Sequence, residues 1–390
     1  MSQIQTERTP NSAPQMIKVL AVLGTRPEAI KLAPVIKELQ RRGGFDVRVC
    51  VTAQHRQLLD PMLDLFGIRP DYDLDVMSDD QSPTDVTVAV LSGLTIILRN
   101  EEPDWVLVQG DTTTTMAGGL GAFHHGSRIA HVEAGLRTFD HRDPWPEEMN
   151  RRVAGVVAEL HFAPTPAGAE NLHREGVPTE RVYVTGNTVI DALQMVAAMP
   201  FDPKGTVLDG IPLEGKRLIV ATMHRRDTSR KTIREICQAI ARIAAAHEDV
   251  HIVCPVHPNP NVHSTVHELL GASPNITLLP PLEYQPMIWL LRRAYFVITD
   301  SGGLQEEATA IGKPVLVVRG TTERAEGVAA GTAQLVGTNK DEIEAAATRL
   351  LSDDALYERM AKPIDAYGTG DAARQIVDTL AAHHASSARP

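Results

Sequence analysis

Short apolar runs alternate with longer amphipathic ones along most of the chain, and this alternation limits the fold more than any other feature. Runs such as 17–23, 105–109 and 217–222 are brief and apolar almost throughout, as strands must be when both faces of a parallel sheet are covered. The segments between them carry helical spacing. That βαβ pattern predicts an α/β protein with helices on both faces of each sheet.

The expected strands of the first half are 17–23, 47–52, 105–109, 128–133 and 181–185. Helices are expected over 27–42, up to Phe66-Gly67, over 84–98 and around 116–123. The second half is expected to place strands at 217–222, 250–255, 295–299 and 314–318. Its helices fall at 232–247, near 284–293, from Gly303, near 340–351 and at 372–382. At 390 residues the chain is too long for one ordinary core. Two α/β domains are therefore expected, over 17–200 and 201–365, followed by a C-terminal helix and tail over 366–390. The Pro-, Gly- and Asp-rich stretch 201–215 suits a linker. Two such domains form a cleft where the carboxyl ends of their strands meet.

The formal net charge of −11 argues against nucleic acid or an anionic membrane as partner. An anionic ligand would need a local cluster of Arg, Lys and backbone N–H groups. The three cysteines form no CxxC pair, which fits a reducing, cytoplasmic setting. Residues 1–16 are polar and contain proline, so they read as a disordered tail rather than a signal peptide. No stretch approaches the roughly 20 apolar residues of a membrane span.

Charged groups collect where strands end. In Gly24-Thr25-Arg26-Pro27-Glu28, Thr25 and Glu28 have capping-box spacing and Pro27 suits a first turn. Arg26, and Lys31 one turn on, then face the cleft. Asp111 in Gln109-Gly110-Asp111 is either a helix cap or a working carboxylate. Glu133 ends the next strand, where no cap is needed, and Glu147 lies in the proline-fixed Pro144-Trp145-Pro146-Glu147-Glu148. Carboxylates crowded at the rims of neighbouring elements shift one another's pKa values, so one can hold a proton while another stays ionised. His224, beside Arg225 and Arg226 at a strand end, is the histidine best placed for the cleft.

The sharpest motif is Asp300-Ser301-Gly302-Gly303. A strand runs into a glycine turn and then a helix, so backbone N–H groups and the positive helix end can receive a phosphate. Glu307 is placed to take ribose hydroxyls, and Arg324 adds positive charge. His263 and His267 are spaced i, i+4, but the Glu of HExxH is missing and no Cys is near. No metal site is expected. Neither a GxxxxGK[ST] loop nor a GxGxxG after the first strand is present, so no cofactor is expected.

The segments GTRPEAIK, TAQHRQLLD, QGDTTTT, HVEAGLRT, PWPEEMNRR, TGNTVID, HRR, PVHPNP, TDSGGLQEEA and GKPVLVVRGTTER occur in this order. Together they resemble the non-hydrolysing bacterial UDP-N-acetylglucosamine 2-epimerases over about residues 17–365. The resemblance implies two Rossmann-like domains of the glycosyltransferase-B type, with the nucleotide on the second, and a homodimer. It implies reversible C2 epimerisation of UDP-N-acetylglucosamine through elimination of UDP and a 2-acetamidoglucal. In that scheme Asp111, Glu133 and Glu147 are acid–base groups and His224 lies near the leaving diphosphate. Arg26, Lys31, Ser301, Gly302, Gly303, Glu307 and Arg324 hold the UDP-sugar. Bacterial members often bind a second UDP-GlcNAc as activator, and the matching positions here are Gln54, Gln57, Arg225 and His257. This chain departs from the family pattern with Asp227-Thr228 after HRR, and with Leu282 and Met287 near the expected nucleotide site. Alternatives are an epimerase of a modified UDP-amino sugar, a glycosyltransferase of the same architecture and a non-catalytic nucleotide-sugar sensor.

Overall fold

The computed structural model describes residues 16–53, 56–78, 80–223 and 229–387. Of the tail expected at 1–16, only exposed Met16 is among them.

The first sheet is built from β1 (Ile17–Leu23), β2 (Phe45–Val51), β3 (Tyr72–Asp73), β4 (Trp105–Gln109), β5 (Arg128–Val132), β6 (Leu160–Ala163) and β7 (Val182–Val184). Its spatial order is β3-β2-β1-β4-β5-β6-β7, all parallel. The second contains β8 (Arg217–Thr222), β9 (Val250–Pro255), β10 (Ile276–Leu279), β11 (Phe296–Thr299), β12 (Val315–Val317) and β13 (Ala333–Leu335), in the order β10-β9-β8-β11-β12-β13. Each order reverses beside its first strand, at β1/β4 and β8/β11. That is the switch point at which open α/β sheets leave a crevice.

Strand β1 shows how the sequence dictates this. Val19, Ala21 and Leu23 enter one core and Leu20 and Val22 the core on the opposite face. A strand with two buried faces is apolar at nearly every position. The helix Arg26–Arg42 then covers one face with Ile30, Ala33, Ile36 and Leu39, and it stops at Gly43, whose φ is +70°.

The expected long elements are present with bounds within a few residues. Strands β3, β6, β10 and β13 were not expected, nor were the helices Glu147–Val157, Pro166–Arg174, Thr188–Ala197 and Pro260–Leu270. The four strands span two to four residues each. A run that short shows no periodicity of its own and is defined by the neighbour it pairs with.

The two halves touch where the chain crosses itself. Gly186 (φ +87°) and Gly368 (φ +107°) meet so closely that a Cβ on Gly186 would lie 2.7 Å from the Gly368 Cα. The helix Ala372–Ser387 returns to the first sheet. There the Ala373 N–H donates to Asp191 (2.9 Å) and Tyr183 hydrogen-bonds His383 (2.6 Å). Among the described residues no helix is long and apolar enough to cross a membrane.

Gly186→Ala combines a disfavoured φ with a backbone clash. It is expected to cost at least about 2 kcal/mol in urea unfolding. A variant as stable as the parent would show that the crossing tolerates separation.

Candidate active site

A cavity of about 1000 Å³ opens at the carboxyl ends of the strands, lined from both halves of the chain. Lys31, Asp111, Glu133, Glu147 and Arg324 all face it, so five of the expected residues share one space.

Glu133 is the most heavily engaged. It follows β5 with φ +62°, a left-handed conformation that a β-carbon disfavours. Lys31 Nζ lies 2.7 and 2.6 Å from its two oxygens, and the Asn187 side chain donates to Oε1 at 3.0 Å. Gln109 donates to Oε2, and an Arg324 nitrogen stands 3.9 Å from Oε1. Burial pushes the carboxyl up, but Lys31 and Arg324 outweigh it and hold Glu133 below the ordinary range.

Asp111 behaves oppositely. Burial and the nearby Glu133 raise it, against the attraction of Arg151, whose guanidinium lies 2.6 Å away. Asp111 is not the helix cap. Thr112 takes that role by accepting the Thr115 N–H at 3.0 Å. The turn is also pinned from behind, since His131 donates to the Gly110 carbonyl (2.7 Å) and Asn150 to the Asp111 carbonyl (3.0 Å).

Glu147 opens the helix Glu147–Val157. Among the described residues no hydrogen bond or ion pair engages its carboxylate. Its neighbour Glu148 is buried and structural, accepting the N–H groups of Thr138 (3.0 Å) and Phe139 (3.2 Å). Trp145 is 65% exposed, so the proline-flanked segment is not packed around its indole.

One expectation needs revision. Thr25 and Glu28 form no capping box, because the Thr25 side chain caps nothing. Glu28 is buried and finds its partners elsewhere, accepting from the Gly24 N–H (3.0 Å) and the hydroxyls of Thr112 (2.8 Å) and Thr115 (3.1 Å). Arg26 and Glu307 are not among the residues that line the cavity. Glu307 accepts the Tyr284 hydroxyl at 2.8 Å, and Arg26 reaches the Leu282 carbonyl at 3.4 Å. Ser301 precedes the helix Gly302–Ala310 without capping it through its side chain. A Cβ on Gly303 would meet nothing within 4 Å, whereas one on Gly302 would lie 3.1 Å from Glu323.

His224, Arg225 and Gln54 lie outside the described residues. Gln57 is exposed on the helix Arg56–Leu65, and His257 follows β9, where its Nδ1 accepts the Asn259 N–H at 3.1 Å. Among the described residues no group of three or more His, Cys, Asp or Glu is placed to hold a metal ion.

Sequence reasoning missed Gln109, Arg151, Asn187 and Glu306. Glu306 carries the ion pair to Arg324 Nε (2.5 Å). Gln109 left a signal as the polar end of an otherwise apolar strand. Glu306 left one as a second acid, directly before Glu307, in the otherwise uncharged helix Gly302–Ala310.

Burial lifts the Glu307 carboxyl to about 7, opposed by the Tyr284 hydrogen bond and Arg26 and assisted by Glu306. A folded pKa above the unfolded one gives stability that is complete at low pH and is lost as pH rises through that value. Glu307→Gln should therefore gain on the parent between about pH 5 and about pH 8, by up to about 3 kcal/mol. Unfolding curves across that range test it; a difference independent of pH would contradict it.

The family profile described as UDP-N-acetylglucosamine 2-epimerase matches residues 37–381. The chain is 49% identical to the UDP-N-acetylglucosamine 2-epimerase of Escherichia coli K12, over 93% of this chain and 98% of that one. It superposes on the crystal structure of UDP-GlcNAc 2-epimerase from Neisseria meningitidis bound to UDP-GlcNAc with a TM-score of 0.87 and 44% identity, covering 94% of this chain and 100% of that one. The Methanocaldococcus jannaschii UDP-GlcNAc 2-epimerase in complex with UDP-GlcNAc and UDP gives a TM-score of 0.79 at 30% identity, covering 94% and 100%. Paired Rossmann-like units of the glycosyltransferase-B type and this degree of likeness along nearly the whole chain show that the protein belongs to the UDP-N-acetylglucosamine 2-epimerase family.

Proposed function

We propose that the protein interconverts UDP-N-acetylglucosamine and UDP-N-acetylmannosamine. The observation that carries this reading is the convergence of Asp111, Glu133 and Glu147 on one cavity with Lys31 and Arg324. The UDP-GlcNAc bound by the Neisseria relative supports the choice of substrate.

The C2 hydrogen of this sugar is not next to a carbonyl, so its direct removal as a proton would leave an unstabilised carbanion. Elimination avoids that. A carboxylate takes the C2 proton, the C–H electron pair forms the C1–C2 double bond, and the C1–O bond breaks with its electrons leaving on UDP. Re-addition of UDP to the resulting 2-acetamidoglucal, with a proton delivered to the opposite face of C2, gives the epimer. Acid–base groups on both faces and cations for the departing diphosphate are what this scheme requires. Asp111, held above the usual range, and Glu133, held below it, have the divergent environments that suit opposite proton roles. The N-terminus of the helix Gly302–Ala310, with Ser301, Gly302 and Gly303, receives the diphosphate alongside Arg324 and His224. Arg26 and Glu307 orient the nucleoside. A second UDP-GlcNAc near His257 acts as activator in the same scheme.

The reading extends to a cytoplasmic homodimer. Ile96 (63% exposed), Phe123 (57%) and Val156 (85%) lie on three helices that pack in succession, Pro83–Glu101, Thr113–His125 and Glu147–Val157. Exposed apolar groups on adjoining helices suit a covered face. Val156→Glu should move the sedimentation coefficient from dimer towards monomer. An unchanged dimer would place the interface elsewhere.

Proton NMR in deuterated water tests the activity. UDP-GlcNAc should give UDP-ManNAc with deuterium entering at C2. Asp111→Asn, Glu133→Gln and Glu147→Gln should each lower kcat by about a hundredfold or more. Release of only free sugar and UDP, or no change in the spectrum, would overturn the assignment.

A further inference from the structure

The segment TGNTVID contains Asn187, which the proposed chemistry does not use, yet this residue touches both halves of the site. It is 2% exposed. Its backbone N–H donates to the Tyr367 carbonyl (2.7 Å), and its side-chain oxygen accepts the Val189 N–H (3.1 Å), capping the helix Thr188–Ala197. The amide nitrogen donates twice, to Glu133 Oε1 at 3.0 Å and to Glu306 Oε2 at 2.7 Å. Glu306 gives its other oxygen to Arg324, which lies 3.9 Å from Glu133. The Tyr367 hydroxyl returns to the Arg324 carbonyl at 3.4 Å. The connections therefore form a closed ring through both units, immediately beside the Gly186–Gly368 crossing.

A carboxamide is suited to this place. It accepts on one side and has two hydrogens to give on the other. Serine is too short to bridge both carboxylates, and aspartate has no hydrogen for either.

We propose that Asn187 is a positioning residue that ties Glu133 to Glu306 and Arg324 of the second unit, so that Glu133 is oriented and kept anionic by the arrangement of the two units around the crossing. The proposal rests on reading Glu133 as an acid–base group. The charged and titratable groups around Glu133 are Lys31 from the first helix, Asp111 beyond β4, His131 on β5, and Glu306 and Arg324 from the second unit. Lys31 is fixed within the first unit. The contribution of Arg324 depends on where the second unit stands, and Asn187 sets that register.

The test is the pH dependence of kcat for UDP-GlcNAc epimerisation in two variants with opposite expected signs. Asn187→Asp adds a third carboxylate and removes both donors, so the acidic limb should move up by about one pH unit. Glu306→Gln removes the competitor for Arg324, which is then drawn to Glu133, so the limb should move down. Asn187→Ser, uncharged, should also move the limb up and lower kcat roughly tenfold, with KM changed by less than about twofold. A merely structural role would lower kcat in all three and leave the limb in place, and that result would overturn the proposal. So would shifts of the same sign in Asn187→Asp and Glu306→Gln. If Asn187→Asp fails to fold, the opposed shifts of Asn187→Ser and Glu306→Gln carry the same test. Glu133→Gln separates this inference from its premise. A Glu133→Gln enzyme with the parent rate and limb would remove Glu133 from the chemistry. An inactive one alongside unmoved limbs in the other variants would remove only the role of Asn187.

Discussion

Two carboxylates and two cations are buried against one another between the sheets, and the architecture of the site depends on their balance. Lys31 and Glu133 come from the first unit, Glu306 and Arg324 from the second. Stripping one such ion of water costs several kcal/mol, and removing a partner leaves that cost uncompensated. The cluster is satisfied only when both units bring their strand ends to the same place. Hydrogen bonds from Gln109 and Asn187 complete the coordination of Glu133. The group at the centre of the cleft is therefore also the group that registers the two halves.

The surrounding carboxylates show how one cleft sustains different proton affinities. Asp111 has Arg151 as its one close cation among the described residues, and burial together with the charge of Glu133 outweighs that partner. Glu133 has closer cations and is held down. Glu147 stands on the rim at a helix start, without a cation of its own among the described residues. Each environment follows from where its element ends, which is why the strand termini, rather than the strands, carry the chemistry.

The fold was legible in the sequence because the central strands β1, β4 and β8 are buried on both faces over most of their length and are nearly continuous apolar runs. Trp105–Gln109, Arg217–Thr222 and Val250–Pro255 appear with the expected bounds. Strands such as Leu160–Ala163 were not legible, since four residues are too few to show a period and pairing with β5 decides the conformation. Of the site, the groups at strand ends and the glycine turn could be named from spacing. The bridging groups could not. Asn187 reads locally as a helix cap and is one, but its second task depends on Glu306, 119 residues away. Glu28 likewise abandons its local cap because burial forces it to find the Thr112 and Thr115 hydroxyls.

Neutron diffraction from crystals of the ligand-free protein in deuterated buffer near neutral pH addresses the charge balance most directly, because it shows where each exchangeable proton resides. The account predicts no deuterium on either oxygen of Glu133, a fully protonated Lys31 ammonium pointing at it, and both Asn187 amide deuterons directed at carboxylates. A deuterium on Glu133, or an Asn187 amide turned to present its oxygen to Glu133, would contradict it.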